Sequence, residues 1–279
     1  MKARRDYGYV SIAKPGQEQT NEDASLAEAG RIAVSDGAGG GGVYAEKWAA
    51  YLLEELPAEP ISTFEELSGW VDAIWEPFYK EYEQKAKARG GLVLNKFYAE
   101  GSFATLAAAW STGEGKWRWM AYGDSVVFHY CRRSGALSHS FTRLADFNNA
   151  PYLISLNDPL VKGVFRSGEF ATEEGDRVFC ASDALSHYIL MEYELSRHGE
   201  YRQELAEAAG AGTRNAALVA AASAEGGINF QGDVVDKLAG CIGNPTNFQR
   251  HTERLLRRRI IALDDYSCSM VRVSSLGFR

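Results

Sequence analysis

The chain has 279 residues, 46% of them hydrophobic and 24% charged, with a net charge of −7. That mix belongs to a globular protein with room for a sizeable core, and it excludes a fibrous or disordered chain. The negative balance argues against general nucleic-acid binding and against docking on anionic lipid, and no apolar stretch is long enough to span a bilayer.

The first six residues are basic, but no apolar run follows them, so they are not read as a secretory signal. Residues 6–13 read as an opening strand, and 14–22 as a polar loop punctuated by Pro15 and Gly16. The apolar run 31–36 then ends at Asp36, directly followed by Gly37-Ala38-Gly39-Gly40-Gly41-Gly42. This is a strand running into a glycine-permitted turn that carries a carboxylate and bare backbone. Such a place suits a hard divalent cation, which prefers carboxylate and carbonyl oxygens. The spacing predicts one helix over 43–56, ending at Pro57, and a longer one over 63–89. The longer helix has a Ser62 or Thr63 cap, a possible break at Pro77 and a stop at Gly90-Gly91.

Residues 102–142 read as four short strands joined by tight turns, and 143–160 as an irregular loop. Further strands are expected at 161–166 and 177–181. Helices are expected within 184–225, with breaks near Gly199 and Gly210, and a basic helix over 247–258; 226–247 reads as turn-rich. A closing strand is expected at 266–274. Grouped helices between blocks of strands point to an α+β fold with antiparallel sheets, in one domain over 1–279.

Asp36 is one of four such strand ends. Asp124 follows 120–123, Asp183 follows 177–182, and Asp264 follows 260–263. A single Asp there is ordinarily a turn residue. Four in one chain favour a shared cation site, because carboxylates gathered together need a counter-charge. The glycines also match G-x-G-x-x-G, a dinucleotide fingerprint, but Asp36 would face the pyrophosphate and the next element is another helix, so no βαβ unit closes. A P-loop lacks its Lys-Ser or Lys-Thr pair. Cys131, Cys180, Cys241 and Cys268 form no close pair, which argues for reduced thiols and a cytoplasmic location. The basic stretch 250–259 reads as a solvated helix face, Trp117 and Trp119 as sheet-face packing, and Trp48, Trp70 and Trp75 as helix-to-sheet core. Of the five histidines only His187 lies near a motif.

Five segments in order resemble the metal-dependent Ser/Thr protein phosphatases of type 2C. They are Asn21-Glu22-Asp23-Ala24, Ser35-Asp36-Gly37-Ala38-Gly39-Gly40, Tyr122-Gly123-Asp124-Ser125, Ala181-Ser182-Asp183-Ala184-Leu185 and Asp264-Asp265-Tyr266-Ser267. Ala38, where eukaryotic members usually carry His, gives the sequence a bacterial style. The resemblance implies a sandwich of two antiparallel β-sheets flanked by α-helix pairs, in four layers. It implies two Mg²⁺ or Mn²⁺ ions bridged by Asp36, with the Gly37 carbonyl on one and Asp183 and Asp264 on the other. Glu22 and Asp23 would hold metal-bound waters or ligate directly, and Asp124 would serve a third, weaker position. The substrate would be a phosphorylated protein, hydrolysed at phosphoserine or phosphothreonine by a metal-activated water. Three positions depart from the family pattern. Glu18 stands where a phosphate-gripping Arg is usual, with Lys14 as a possible substitute. Ala184 stands where Gly is usual, and His187 where an Asp often supports the third metal. These departures leave open a second reading, a regulatory or binding protein of the same fold with little catalysis.

Overall fold

The computed structural model describes residues 6–16, 20–40, 42–210 and 215–274. The chain opens with β1 (Tyr7–Ile12), β2 (Asp23–Glu28) and β3 (Arg31–Asp36), then α1 (Ala45–Glu54), α2 (Phe64–Arg89) and α3 (Gly91–Ala99). The strands β4 (Phe103–Ala104), β5 (Leu106–Gly113), β6 (Lys116–Tyr122), β7 (Val126–Tyr130), β8 (Leu137–His139), β9 (Ile154–Ser155), β10 (Arg166–Ala171) and β11 (Arg177–Ala181) follow. Five helices come next: α4 (Asp183–Ser196), α5 (Arg202–Ala208), α6 (Ala216–Glu225), α7 (Asp236–Cys241) and α8 (Pro245–Arg258). The strand β12 (Tyr266–Arg272) closes the described fold.

Two five-stranded sheets run in the orders β1-β12-β11-β7-β8 and β10-β6-β5-β3-β2, and β4-β9 form a small third ladder. All the pairings are antiparallel. This rules out the dinucleotide reading among the described residues, because no parallel βαβ pair is present.

Strand alternation sets the layers. Val178 and Cys180 on β11, Val127 on β7, Ile32 and Val34 on β3, and Ala107 and Ala109 on β5 meet in a core between the sheets. Their neighbours point the other way. Ala33, Leu106, Ala108 and Trp110 pack under α1–α3, and Val126, Phe128, Phe179 and Ala181 pack under α4–α8. The result is the expected helix–sheet–sheet–helix sandwich, with α1–α3 on one outer face and α4–α8 on the other. Trp48 is fully buried, as expected, whereas Trp75 is 37% exposed and belongs to the surface.

Several local expectations shift. The helix α2 starts at a complete capping box, Thr63 with Glu66, and runs through Pro77 without dividing. Its buried positions Leu67, Val71, Ile74, Phe78 and Ala86 fall on one stripe, and that packing outweighs the hydrogen bond Pro77 cannot donate. Gly90, at φ +63°, ends it, but α3 begins at once. The segment expected as a strand at 161–166 makes a 3₁₀ turn at Lys162–Val164 instead, with the Val161 N–H bonded to the Tyr122 hydroxyl at 2.8 Å; only from Arg166 does the chain pair with β6. Among the described residues no helix is long and apolar enough to cross a membrane.

Candidate metal centre

The site begins with one cross-strand pair. In the β2–β3 ladder Asp23 lies directly opposite Asp36, so two carboxylates share one face within a few ångströms. Like charges so placed repel each other, and sheets normally avoid them. Asp36 is anchored through its backbone: its carbonyl accepts from the Thr105 N–H at 2.8 Å and its N–H donates to the Thr105 hydroxyl at 3.2 Å. That hydroxyl meets Ser125 Oγ at 2.6 Å, which couples the end of β3 to the residue after Asp124. Asp183 arrives from the other sheet, at the first turn of α4, where its carboxylate accepts from the Ala184 N–H. The end of β11 is tied to β12 by the Ser182 N–H to the Ser267 carbonyl at 3.1 Å and by the Ser267 N–H to Ser182 Oγ at 3.0 Å. Asp264 sits just before β12 and accepts the Asp265 N–H at 3.0 Å.

These side chains feel one another. Burial pushes the Asp36 carboxyl well above the usual carboxylate range, and the charges of Asp23, Asp183, Asp124 and Asp264 push it further. Asp183 is raised well above its usual value by burial, then by Asp124 and Asp264. Burial raises Asp23 to about 7, opposed by the hydroxyls of Ser182 and Ser267. Its Oδ2 is buried without a hydrogen-bond partner among the described residues. Such a cluster binds protons or cations, since either relieves the repulsion. The donors are all oxygens, which selects hard divalent ions. Among the described residues no three Asp, Glu, His or Cys side chains converge closely enough to enclose one ion. The donor set thus fits a hard cation in its chemistry, with the carboxylates gathered near one another at neighbouring strand ends.

The glycine turn is built around this cluster. The Gly37 N–H donates to the Glu22 carbonyl at 3.1 Å, and a Cβ on Gly37 would stand 2.6 Å from that oxygen and 2.8 Å from the backbone of Ala45. The Gly39 N–H bonds to the Glu22 carboxylate, and a Cβ there would stand 1.8 Å from Glu22 Oε1. Gly42 lies against the Gly101 carbonyl, whereas Gly40 has open space around it and is simply a turn residue. Glu22 is itself raised, chiefly by burial, with the Lys14 charge opposing.

Sequence reasoning missed three participants. Asp265, only 4% exposed, accepts the Lys14 N–H on Oδ1 at 2.7 Å and the Glu22 N–H on Oδ2 at 2.8 Å. It clasps both ends of the 14–22 loop, and the Asp264-Asp265 pair alone does not reveal which member does so. Thr105 carries no motif. Arg166 donates to the Gly123 carbonyl and lies beside Asp124, whose charge acts on it; burial lowers its pKa. Together with Phe141, Pro151 and Tyr152 these two residues line a cavity of about 370 Å³. His187 is buried and stacks edge-on against Phe147 at 5.5 Å, so it packs the helical layer. Glu18 lies outside the described residues.

Solved structures resemble this chain over nearly its whole length. The serine/threonine phosphatase PstP/Ppp of Mycobacterium tuberculosis superposes with a TM-score of 0.55 at 14% identity, covering 96% of this chain and 98% of that one. The fold is that of the type 2C Ser/Thr phosphatases. The catalytic domain of PstP in complex with two manganese ions gives 0.53 at 17% identity, over 96% and 99% of the two chains. Stp1 of Staphylococcus aureus gives 0.51 at 11%, over 98% and 96%. No family profile and no curated protein sequence matches the chain. The type 2C fold thus survives here with little sequence in common, and the carboxylates lie on strand ends that come from both sheets.

Proposed function

We propose that the chain is one phosphatase unit, a metal-dependent phosphoprotein phosphatase acting on phosphoserine or phosphothreonine. The observation that carries this reading is the burial of Asp23, Asp36 and Asp183 at neighbouring strand ends of a type 2C fold, where burial and then the charges of nearby aspartates raise each carboxyl. A structure keeps so much like charge together at a cost in stability, and function is the ordinary reason.

Asp36, Asp183, Asp264 and the Gly37 carbonyl would hold two Mg²⁺ or Mn²⁺ ions, with Asp124 at a third position. Bound there, the ions supply Lewis acidity toward the phosphoryl oxygens and toward water. Glu22, held by the Gly39 N–H, and Asp23, whose buried Oδ2 has no hydrogen-bond partner among the described residues, would orient water. Lys14 and Arg166, whose charges interact with Glu22 and Asp124, would attract the phosphate dianion. No protein nucleophile is required.

The second reading, a binding protein with little catalysis, draws on Ala184 and on the incomplete convergence of the carboxylates. One assay separates the two. Hydrolysis of a phosphothreonine peptide is measured with Mn²⁺ and with chelator, in wild type and Asp36→Asn. We expect Mn²⁺-dependent turnover that falls by about a hundredfold or more in the variant, the scale on which loss of a metal-site charge is felt. Turnover in Asp36→Asn within about threefold of wild type would sink the assignment.

A further inference from the structure

The basic stretch 250–259 is read from sequence as a solvated face, and part of it is otherwise placed. The helix α8 carries Arg250, His251 and Arg254, and α7 carries Lys237. These four, with Asn247 and Asp236, surround a cavity of about 290 Å³ between the two helices. A second cavity of about 260 Å³ adjoins it, sharing Lys237, His251 and Arg254 as its wall. None of the carboxylates of the candidate metal centre lines either cavity.

His251 is 8% exposed, and its Nε2 is buried with no hydrogen-bond partner among the described residues. An orphaned buried ring nitrogen is costly, and natural cores seldom leave one without a reason. Burial first, and then the charges of Arg254, Lys237 and Arg258, lower the imidazole to about 4, so it is neutral.

The neighbouring charges show which cavity is free for a ligand. In the second one, Arg258 is taken by Glu225 at 2.9 Å, and Asp233 and the buried Glu192 on α4 stand beside it. In the first, the single carboxylate is Asp236, and it is drawn toward Arg177 at 3.5 Å. Three cations and the His251 ring therefore line one cavity in a chain whose net charge is −7. The volume matches roughly ten water molecules, ample for a compact oxyanion.

We propose that the cavity between α7 and α8 is a binding site for a phosphate dianion, with Lys237, Arg250 and Arg254 supplying charge and His251 Nε2–H donating the buried hydrogen bond. Both inorganic phosphate and the phosphoryl group of a small monoester carry this chemistry. The site does not depend on the phosphatase reading.

The test follows the His251 ring by NMR, assigned with His251→Gln, while inorganic phosphate is titrated against chloride at matched ionic strength. We expect a saturable shift of that ring. Arg254→Ala and Lys237→Ala should each weaken it about tenfold, as for a charge-assisted hydrogen bond, and Arg257→Ala, outside both cavities, should leave it unchanged. A parallel titration with adenosine monophosphate identifies the source: a shift with both ligands supports a monoester site, and a shift with phosphate alone supports a site for the free ion. An unmoved His251 ring with both ligands would overturn the proposal. So would equal weakening by Arg257→Ala and Arg254→Ala, which would mean diffuse screening.

Discussion

At the scale of single residues, the chain tolerates ionisable groups in places that ordinarily reject them. The carboxylate cluster is one case and Glu194 on α4 is another. Burial raises its carboxyl to about 8, helped by Glu204, and Oε2 has no hydrogen-bond partner among the described residues. Below about pH 4.5 the group is protonated folded and unfolded alike, and its stabilising share is intact. Above that the unfolded chain ionises first and binds fewer protons, so stability falls with rising pH until the folded carboxyl ionises near 8. Glu194→Gln should therefore raise the melting temperature at pH 8 and leave it nearly unchanged at pH 4. An equal shift at both would show that the effect is packing and not ionisation. The four strand-end aspartates were legible because each breaks an apolar run. Asp265, Thr105 and Arg166 were not, since each acts through a partner far along the chain.

At the scale of elements, periodicity found the long pieces and lost the short ones. The stripe of α2 and the apolar runs of β3, β7 and β11 are long enough to read, whereas α3 and α7 have only 9 and 6 residues, and α7 lies in turn-rich sequence. Pro77 was expected to be able to divide α2 and does not, because residues on both sides of it bury the same stripe. It is exposed and leaves one helical carbonyl without a donor. Pro77→Ala should stabilise the protein by about 1–3 kcal/mol in chemical denaturation. No gain would show that the helix is bent there to suit its neighbours. The glycine turn likewise carried two meanings in sequence, flexible loop or built cradle, and only the approach of Glu22 to Gly39 decides between them.

At the scale of the whole molecule, the sheet order brings residues 23, 36, 124, 183 and 264 to one place, and no local pattern encodes that. What the sequence did carry was the order of five short motifs, which is why the fold was legible while the position of each side chain was not. A cluster held together against its own charge should be stabilised by the ion it takes. Mn²⁺ at a hundred times its dissociation constant should add about 2.7 kcal/mol, seen as a rise in melting temperature over chelator-treated protein. Asp183→Ala and Asp264→Ala should each lose most of that rise, and the double variant should lose little more. An undiminished rise in both single variants would make these strand ends ordinary turns. The clasp between Lys14 and Asp265 spans 251 positions, and among the described residues β1 finds its ladder partner only in β12. During synthesis, then, the first strand waits on the ribosome for the last described one. Until β12 emerges, the loop that carries Glu22 lacks the Asp265 clasp at both its ends, so a chain released before that point should carry most of the carboxylates and an incomplete site.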